Sequence, residues 1–305
     1  MNMLTVSPSP HIKSKVNTTK IMGLVILALL PTIIASGIIF GARAILVVAF
    51  SAATAILWEY ICRRVMKKDN TISDLSAALT GVLLGMNLSS TTPLWVCAIG
   101  TFIAIVIVKQ LFGGLGQNFA NPAIVGRIVL MLSFPTLISQ YAKPFDADVI
   151  TSATPLITKA DSYKDLFLGT TAGALGETCA VTLIVGFVIL VVTKVISPVT
   201  PVAMVATVAV FAFVCGEDPL YHILSGGLLL GAIFMATDYA TTPITKKGKL
   251  IFGIGCGAVT FIIRMWASYP EGVSFAILLM NIVTPYIDMA TRTKPVGKII
   301  AKEAK

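Results

Sequence analysis

The sequence is short of charge. Only 12% of its 305 residues are Asp, Glu, Lys or Arg, about half the roughly 25% of an average soluble domain. That is too little to coat a water-facing surface when 56% of the chain is apolar and the mean hydropathy is +0.90, and an ordinary soluble enzyme is excluded. Histidine is nearly missing, with only His11 and His222, and the five cysteines (Cys62, Cys97, Cys179, Cys215, Cys256) stand singly with no CxxC spacing. A metal centre built by this chain alone and a disulfide framework are therefore not expected, and the thiols read as small buried hydrophobes. No P-loop, nucleotide-binding glycine fingerprint, catalytic triad or iron–sulfur cysteine set occurs, so no site for NADH or ATP is visible. Acidic residues are also scarce, giving a formal charge of +9. The cations lie in short clusters between apolar runs, without the aromatic-interleaved patch of a nucleic-acid site.

What the sequence has is long apolar runs. A hydrocarbon core of ~30 Å takes ~20 apolar residues per helix. On that measure ten segments qualify: 21–40, 43–62, 75–90, 93–109, 120–134, 177–195, 201–216, 220–237, 249–266 and 271–290. The third and fifth are short, and hydropathy alone also accommodates eight. The first 20 residues are polar and basic with no small-residue cleavage site, so they read as a tail and not as a cleaved signal. With the N-terminus cytoplasmic and ten spans, the cations sort by side. Lys13, Lys15 and Lys20, the cluster Arg63 to Lys68, Lys109, Lys194, Lys246 to Lys249, and Arg292 to Lys305 fall inside. Only Arg43, Lys143, Lys159 and Lys164 fall outside, and Arg127 and Arg264 lie within spans. This is the positive-inside pattern. The expected fold is an all-α integral membrane protein with both termini cytoplasmic. It divides into a tail (1–20), a first half (21–134), a long outer loop (135–176), a second half (177–290) and a second tail (291–305).

The halves echo each other. Gly81-Val82-Leu83-Leu84-Gly85 matches Gly227-Leu228-Leu229-Leu230-Gly231, and each copy leads to Thr-Thr-Pro, at Thr91-Thr92-Pro93 and Thr241-Thr242-Pro243. Five spans per half is odd, so the copies cross the membrane in opposite senses. That is an inverted repeat, whose sites form where broken helices of the two halves meet. Two unrelated small-xxx-small packing faces would read the same way.

The outer loop contains Asp148-Val149-Ile150-Thr151-Ser152-Ala153-Thr154-Pro155. This run resembles the flavinylation motif of the membrane subunits of Rnf and Na⁺-pumping NADH:quinone oxidoreductase complexes (the RnfD/NqrB family). That motif is an Asp, two variable residues, Ser or Thr, usually Gly, then Ala-Thr, and Ser152 stands where Gly is usual. Further matches are Gly113 to Ala123 with Val125-Gly126-Arg127, Gly176-Glu177-Thr178, Ala236 to Pro243, Tyr269 to Gly272 and Ala276 to Asn281. They run from about 75 to 297, and the short N-terminal region is similar to the Rnf branch. The resemblance implies a subunit of an ion-translocating ferredoxin:NAD⁺ oxidoreductase in the bacterial cell membrane. It implies FMN joined through its phosphate to the Thr154 hydroxyl by a flavin transferase, with Asp148, Thr151, Ser152 and Ala153 as the rest of the motif. A second, noncovalent flavin such as riboflavin in the core between the halves is also implied. The implied partners are an outer FMN-bearing subunit, integral membrane subunits and cytoplasmic NADH- and Fe–S-binding subunits, with no nucleic acid. Because Thr154 precedes Pro155, which disfavours helix before it, its hydroxyl is expected in an accessible loop. A cofactor-free secondary transporter or channel is the other reading; the flavin motif and the wider resemblance separate the two.

Several further residues are candidates for a flavin pocket or an ion path. Asn118, Asn121, Thr241 and Asp238 sit beside Pro122 and Pro243, which remove backbone donors, so their side chains can cap the broken backbone or hold the second flavin. Arg127, about five residues into its span, is expected to face the interior and to pair with Asp238. Arg264, close to Trp266, is expected to snorkel or to meet a flavin phosphate. Glu177 is expected in the first turn of the sixth span, and Glu59 and Asp288 at the membrane interface.

Overall fold

A computed structural model describes residues 17–145, 151–152, 156, 162–267 and 272–292. The chain is built almost wholly of helices. α1 (Thr18–Phe40) and α2 (Ala42–Val65) are joined by Gly41 alone, whose φ of +79° makes a reversal that a side chain would strain. α3 (Ser76–Met86) follows, then α4 (Leu94–Gln110), which is α-helical to Phe102 and π-helical over Ile103–Gln110. α5 (Pro122–Ser133) and the short α6 (Pro135–Ile138) complete the first part. A two-residue antiparallel ribbon pairs β1 (Tyr141–Ala142) with β2 (Thr151–Ser152). Then come α7 (Tyr163–Leu168), α8 (Ala180–Val192), α9 (Val199–Val214), α10 (Pro219–Leu224) and α11 (Leu228–Leu230), which runs on as a π-turn over Gly231–Met235. α12 (Lys246–Trp266) and α13 (Val273–Thr291) end the described chain.

Four helices (α1, α2, α12 and α13) are long and apolar enough to cross a membrane, and α3, α4, α5, α8 and α9 are shorter apolar helices. The chain is thus a multi-pass membrane protein. Its long helices turn large apolar side chains outward, among them Ile34 and Ile38 on α1, Leu57 on α2, Ile262 on α12 and Ile282 on α13. In water this would be an aggregating surface; in a bilayer it is the lipid-facing belt.

The expected eighth span is not continuous. Its helix breaks between α10 and α11, over Ser225, Gly226 and Gly227, with Gly226 at φ +66°. α3 is also too short to cross, at about 16 Å for its 11 residues. The chain beyond it leaves the helix yet stays buried: Asn87, Leu88, Ser89, Ser90 and Thr92 are all inside. Non-helical backbone at this depth is tolerated only where protein satisfies it. Here the glycine-rich stretch before α8 does so, with Gly176 N–H donating to Met86 O at 2.7 Å and Leu175 N–H to Leu88 O at 3.0 Å.

Neighbouring helices pack closely through small residues. A Cβ on Gly81 would lie 2.5 Å from Ser51 O and 2.7 Å from Ala52 Cα, so α3 rests backbone to backbone on α2. Gly81→Val is expected to force the two helices apart and to destabilise the protein by about 1–3 kcal/mol. Thermal unfolding in detergent checks this, and an unchanged midpoint would refute the close-contact account.

Candidate functional site

The interior is organised around Arg127. The α5 helix that carries it begins at Pro122, with Asn121 as its N-cap: Asn121 Oδ1 accepts from Ala123 N–H at 3.0 Å and Ile124 N–H at 3.4 Å. Asn121 Nδ2 reaches across to Met235 O at 3.2 Å, so the same side chain caps α5 and satisfies the π-turn after α11. Nearly two turns further on, Arg127 Nη1 donates to Asn87 Oδ1 and lies 3.0 Å from Glu177 Oε1. Asn87 in turn donates to Leu83 O at 2.7 Å and contacts Met235 Sδ at 3.6 Å.

The expected Arg127–Asp238 pair does not form the anchor. The Arg127 and Glu177 side chains, 3% and 2% exposed, make it. Glu177 does not open the next helix either, because α8 begins at Ala180; it sits in the loop, where its carboxylate presses on Gly227. A Cβ at Gly227 would fall 2.5 Å from Glu177 Oε1, so the glycine that opens the second Gly-Leu-Leu-Leu-Gly copy makes room for the ion pair. Gly176 is wedged between both copies, with Met86 Cβ and Leu230 Cδ2 each 3.0 Å from where its own Cβ would be.

Asp238 lies beyond the π-turn, where it accepts from Thr241 Oγ1 at 3.2 Å, and Asn118 Nδ2 donates to Ala120 O at 3.0 Å. Asn118, Asn121 and Asp238 line a cavity of about 450 Å³ at the end of the bundle where α1 begins, with α3, α4 and Phe234 supplying the other walls. Ligand pockets run from about 300 to 1,000 Å³ and combine apolar walls with a few polar groups. The volume and the mix of apolar walls with a few polar groups therefore fall within the range of small-molecule sites.

Lys109 also lines this cavity, and its environment was not legible beforehand. Glu59, expected at the interface, is fully buried. Lys109 Nζ binds Glu59 Oε2 at 3.0 Å, Glu59 Oε1 at 3.2 Å and Ser76 Oγ at 2.6 Å; Thr71 Oγ1 (2.8 Å) and Gln110 Nε2 (2.9 Å) also donate to Glu59. A buried charge held this completely is stable where a single partner would not suffice. The signal available in the sequence was an acid and a base at the same end of two neighbouring apolar helices.

At the opposite end, Arg264 donates to His222 O at 2.6 Å and Ser225 O at 3.0 Å, which holds the helix break between α10 and α11. Leu156, two residues after Thr154, packs on Gly226 beside the Arg264 guanidinium: a Cβ on Gly226 would meet Leu156 Cδ1 at 2.8 Å and Arg264 Nη2 at 3.2 Å. Thr151 and Ser152 form β2 against Tyr141 and Ala142, and Tyr141 packs on Ala172 and Ala174 of the glycine-rich stretch. Asp148, Ala153 and Thr154 lie outside the described residues. Asp288, at the end of α13, accepts from Ile244 N–H at 3.0 Å. Tyr163 donates to Asp218, the N-cap of α10, and this bond holds the Asp218 carboxyl below the usual carboxylate range.

Removing one member of the Arg127–Glu177 pair leaves a buried charge behind. Arg127→Met and Glu177→Gln are each expected to cost about 3–5 kcal/mol. The double variant should recover part of that loss, because no lone charge remains. Unfolding midpoints of the three proteins in detergent test this, and strictly additive losses would show that the two residues do not act together.

A subunit of the Na(+)-translocating ferredoxin:NAD(+) oxidoreductase complex of Acetobacterium woodii is 45% identical, over 99% of this chain and 98% of its own length. A subunit of the proton-translocating ferredoxin:NAD(+) oxidoreductase complex of Clostridium ljungdahlii is 42% identical over 97% of both chains. A subunit of the ion-translocating oxidoreductase complex of Stutzerimonas stutzeri is 36% identical over 92% of both. Residues 5–297 match the NQR2, RnfD, RnfE family, and with relatives this similar over nearly its whole length the chain belongs to that family.

Proposed function

We propose that this chain is the flavin-carrying membrane subunit of an Rnf-type complex, in which electron transfer between ferredoxin and NAD⁺ drives Na⁺ or H⁺ across a bacterial cell membrane. The observation that carries this is the near-full-length similarity to subunits of such complexes, one from a complex named for Na⁺ and one from a complex named for protons. The proposed partners are the other subunits: membrane, outer FMN-bearing, and cytoplasmic NADH- and Fe–S-binding. A flavin transferase serves maturation.

In this reading the chain has ten spans in two inverted halves, with tails at 1–20 and 291–305 and an outer loop at 135–176 between halves 21–134 and 177–290. The packing supports it. α2 lies against α3 and α4 as α9 lies against α10 and α12, while α1 meets α8 and α5 meets α13 across the halves. Each half also holds a broken element, α3 or α10–α11, followed by Thr-Thr-Pro.

FMN is proposed to be esterified to Thr154 on the outer side. Two residues span at most about 7 Å, and Leu156 sits beside Arg264, so a phosphoester on Thr154 would have a guanidinium within reach of its charge. The cavity lined by Asn118, Asn121 and Asp238 is proposed to take a second, noncovalent flavin such as riboflavin. Flavin, when bound, supplies the redox chemistry; the protein positions it, excludes water and sets the local charge. Asn118 and Asp238 offer a donor and an acceptor at one wall, and the paired Lys109 fixes a cation at another. Ferredoxin and NAD⁺ are cytoplasmic, and ~30 Å of hydrocarbon separates them from the outer loop, so the other subunits complete the path.

The broken helices would equally suit a cofactor-free transporter. In-gel flavin fluorescence of the denatured chain, co-expressed with its transferase, separates the readings. A fluorescent band at 32.3 kDa is expected, and it should vanish in Thr154→Val. A band that survives would move the acceptor to Thr151 or Ser152, and a dark wild-type band would leave the transporter.

A further inference from the structure

A second cavity, of about 490 Å³, adjoins the one described above and shares Val195, Ile196, Thr237, Asp238 and Tyr239 with it. It is walled by the turn from α8 to α9, the segment that joins the π-turn to α12, and the first turn of α12. Three charged side chains line it: Lys194 just after α8, Lys249 in the first turn of α12, and Asp238. Asp238 stands on the wall common to both cavities and accepts from Thr241 Oγ1 at 3.2 Å. The lysines are placed differently. Neither Lys194 nor Lys249 has a hydrogen-bond or ion-pair partner among the described residues, and Lys249 is half-buried. Asp288 accepts from Ile244 N–H at 3.0 Å and does not line the cavity.

This placement runs against ordinary helix electrostatics. A helix N-terminus is itself positive and favours acids, yet α12 opens with Lys246, Lys247 and Lys249 and has no acid in its first turn. α9 also begins at this cavity, with Pro198 and Thr200 in the lining and again no acid in its first turn. Positive charge from both lysines and both helix ends is thus concentrated on one space, and within the lining only Asp238 opposes it. The charge that complements this arrangement is negative. The rim is apolar: Ile244, 85% exposed, lines the cavity, and Val192 and Leu250, next in sequence to Val191 and Lys249 of the lining, are exposed too. An occupant that answers both features has an anionic head and hydrocarbon chains. We propose that this cavity binds the phosphate headgroup of an anionic phospholipid, whose acyl chains lie over those apolar side chains. Basic pockets between transmembrane helices take lipid headgroups in this way. The lipid braces the turn from α8 to α9 against residues 237–239, which also line the first cavity. The site does not depend on whether flavin fills that first cavity.

The test uses the purified full-length chain in an uncharged detergent, with lipids added from the same detergent. Dioleoyl phosphatidylglycerol is expected to raise the unfolding midpoint saturably and to be retained in native mass spectra. Dioleoyl phosphatidylcholine, with the same chains and a zwitterionic head, should do neither. The double variant Lys194→Gln, Lys249→Gln should need about tenfold more phosphatidylglycerol for half the shift. The double variant Lys246→Gln, Lys247→Gln, at exposed lysines outside the lining, should respond as wild type does. Equal binding of the two lipids, an unchanged response in the lining variant, or an equal loss in both variants would overturn the site. Inorganic phosphate that reproduces the full shift and displaces the lipid would make this a free-anion site and overturn the lipid assignment. Should the lining variant fail to fold, a diazirine-bearing phosphatidylglycerol on the wild-type chain decides. Cross-links within 191–200 or 237–249 support the site, and cross-links confined to other segments refute it.

Discussion

A peptide group that leaves the helix inside a bilayer must find its hydrogen bonds within the protein, because lipid offers none. Most of what is distinctive in this chain follows from meeting that demand twice, after α3 and around α11. The first break is closed by the backbone of Leu175 and Gly176, the second by the side chains of Asn121, Thr237, Thr242 and Thr284. The glycines that let these strands approach, Gly176 and Gly227, are placed where a Cβ would collide with the opposite copy or with the Glu177 carboxylate.

The charged groups reinforce the same architecture. Arg127, Asn87 and Glu177 tie α5, the end of α3 and the loop before α8 into one node at the seam. Glu59 and Lys109 tie α2 to the π-helical end of α4 beside the cavity. Both ion pairs are buried and both are surrounded by further polar groups, so they fix register more than they add net stability.

Much of this was legible beforehand. The apolar runs at 21–40 and 43–62 became Thr18–Phe40 and Ala42–Val65, and the run at 249–266 became Lys246–Trp266, because length and hydropathy alone decide a long lipid-facing helix. The run at 220–237 carried the same hydropathy yet is broken, since hydropathy does not register a left-handed glycine such as Gly226. Asn121 was legible as a cap because Asn-Pro is a local signal. Partners were not: Arg127 meets Glu177 and not Asp238, and Glu59 meets Lys109, because pairings across the bundle depend on which helices touch and how they are rotated. The π-helical end of α4, which turns Lys109 inward, has no mark in the sequence that periodicity can detect.

The dependence of α3 on Gly176 also has a temporal side. The carbonyls of Met86 and Leu88 receive their partners from residues made much later in synthesis. Until residue 176 leaves the ribosome, α3 has an open helix end that the helices before it and after it to α6 do not close. The growing chain must therefore shelter that end in the insertion machinery or in water. The fold becomes complete only when the segment before α8 returns to it, so the closure of α3 waits on residues from the later part of the chain.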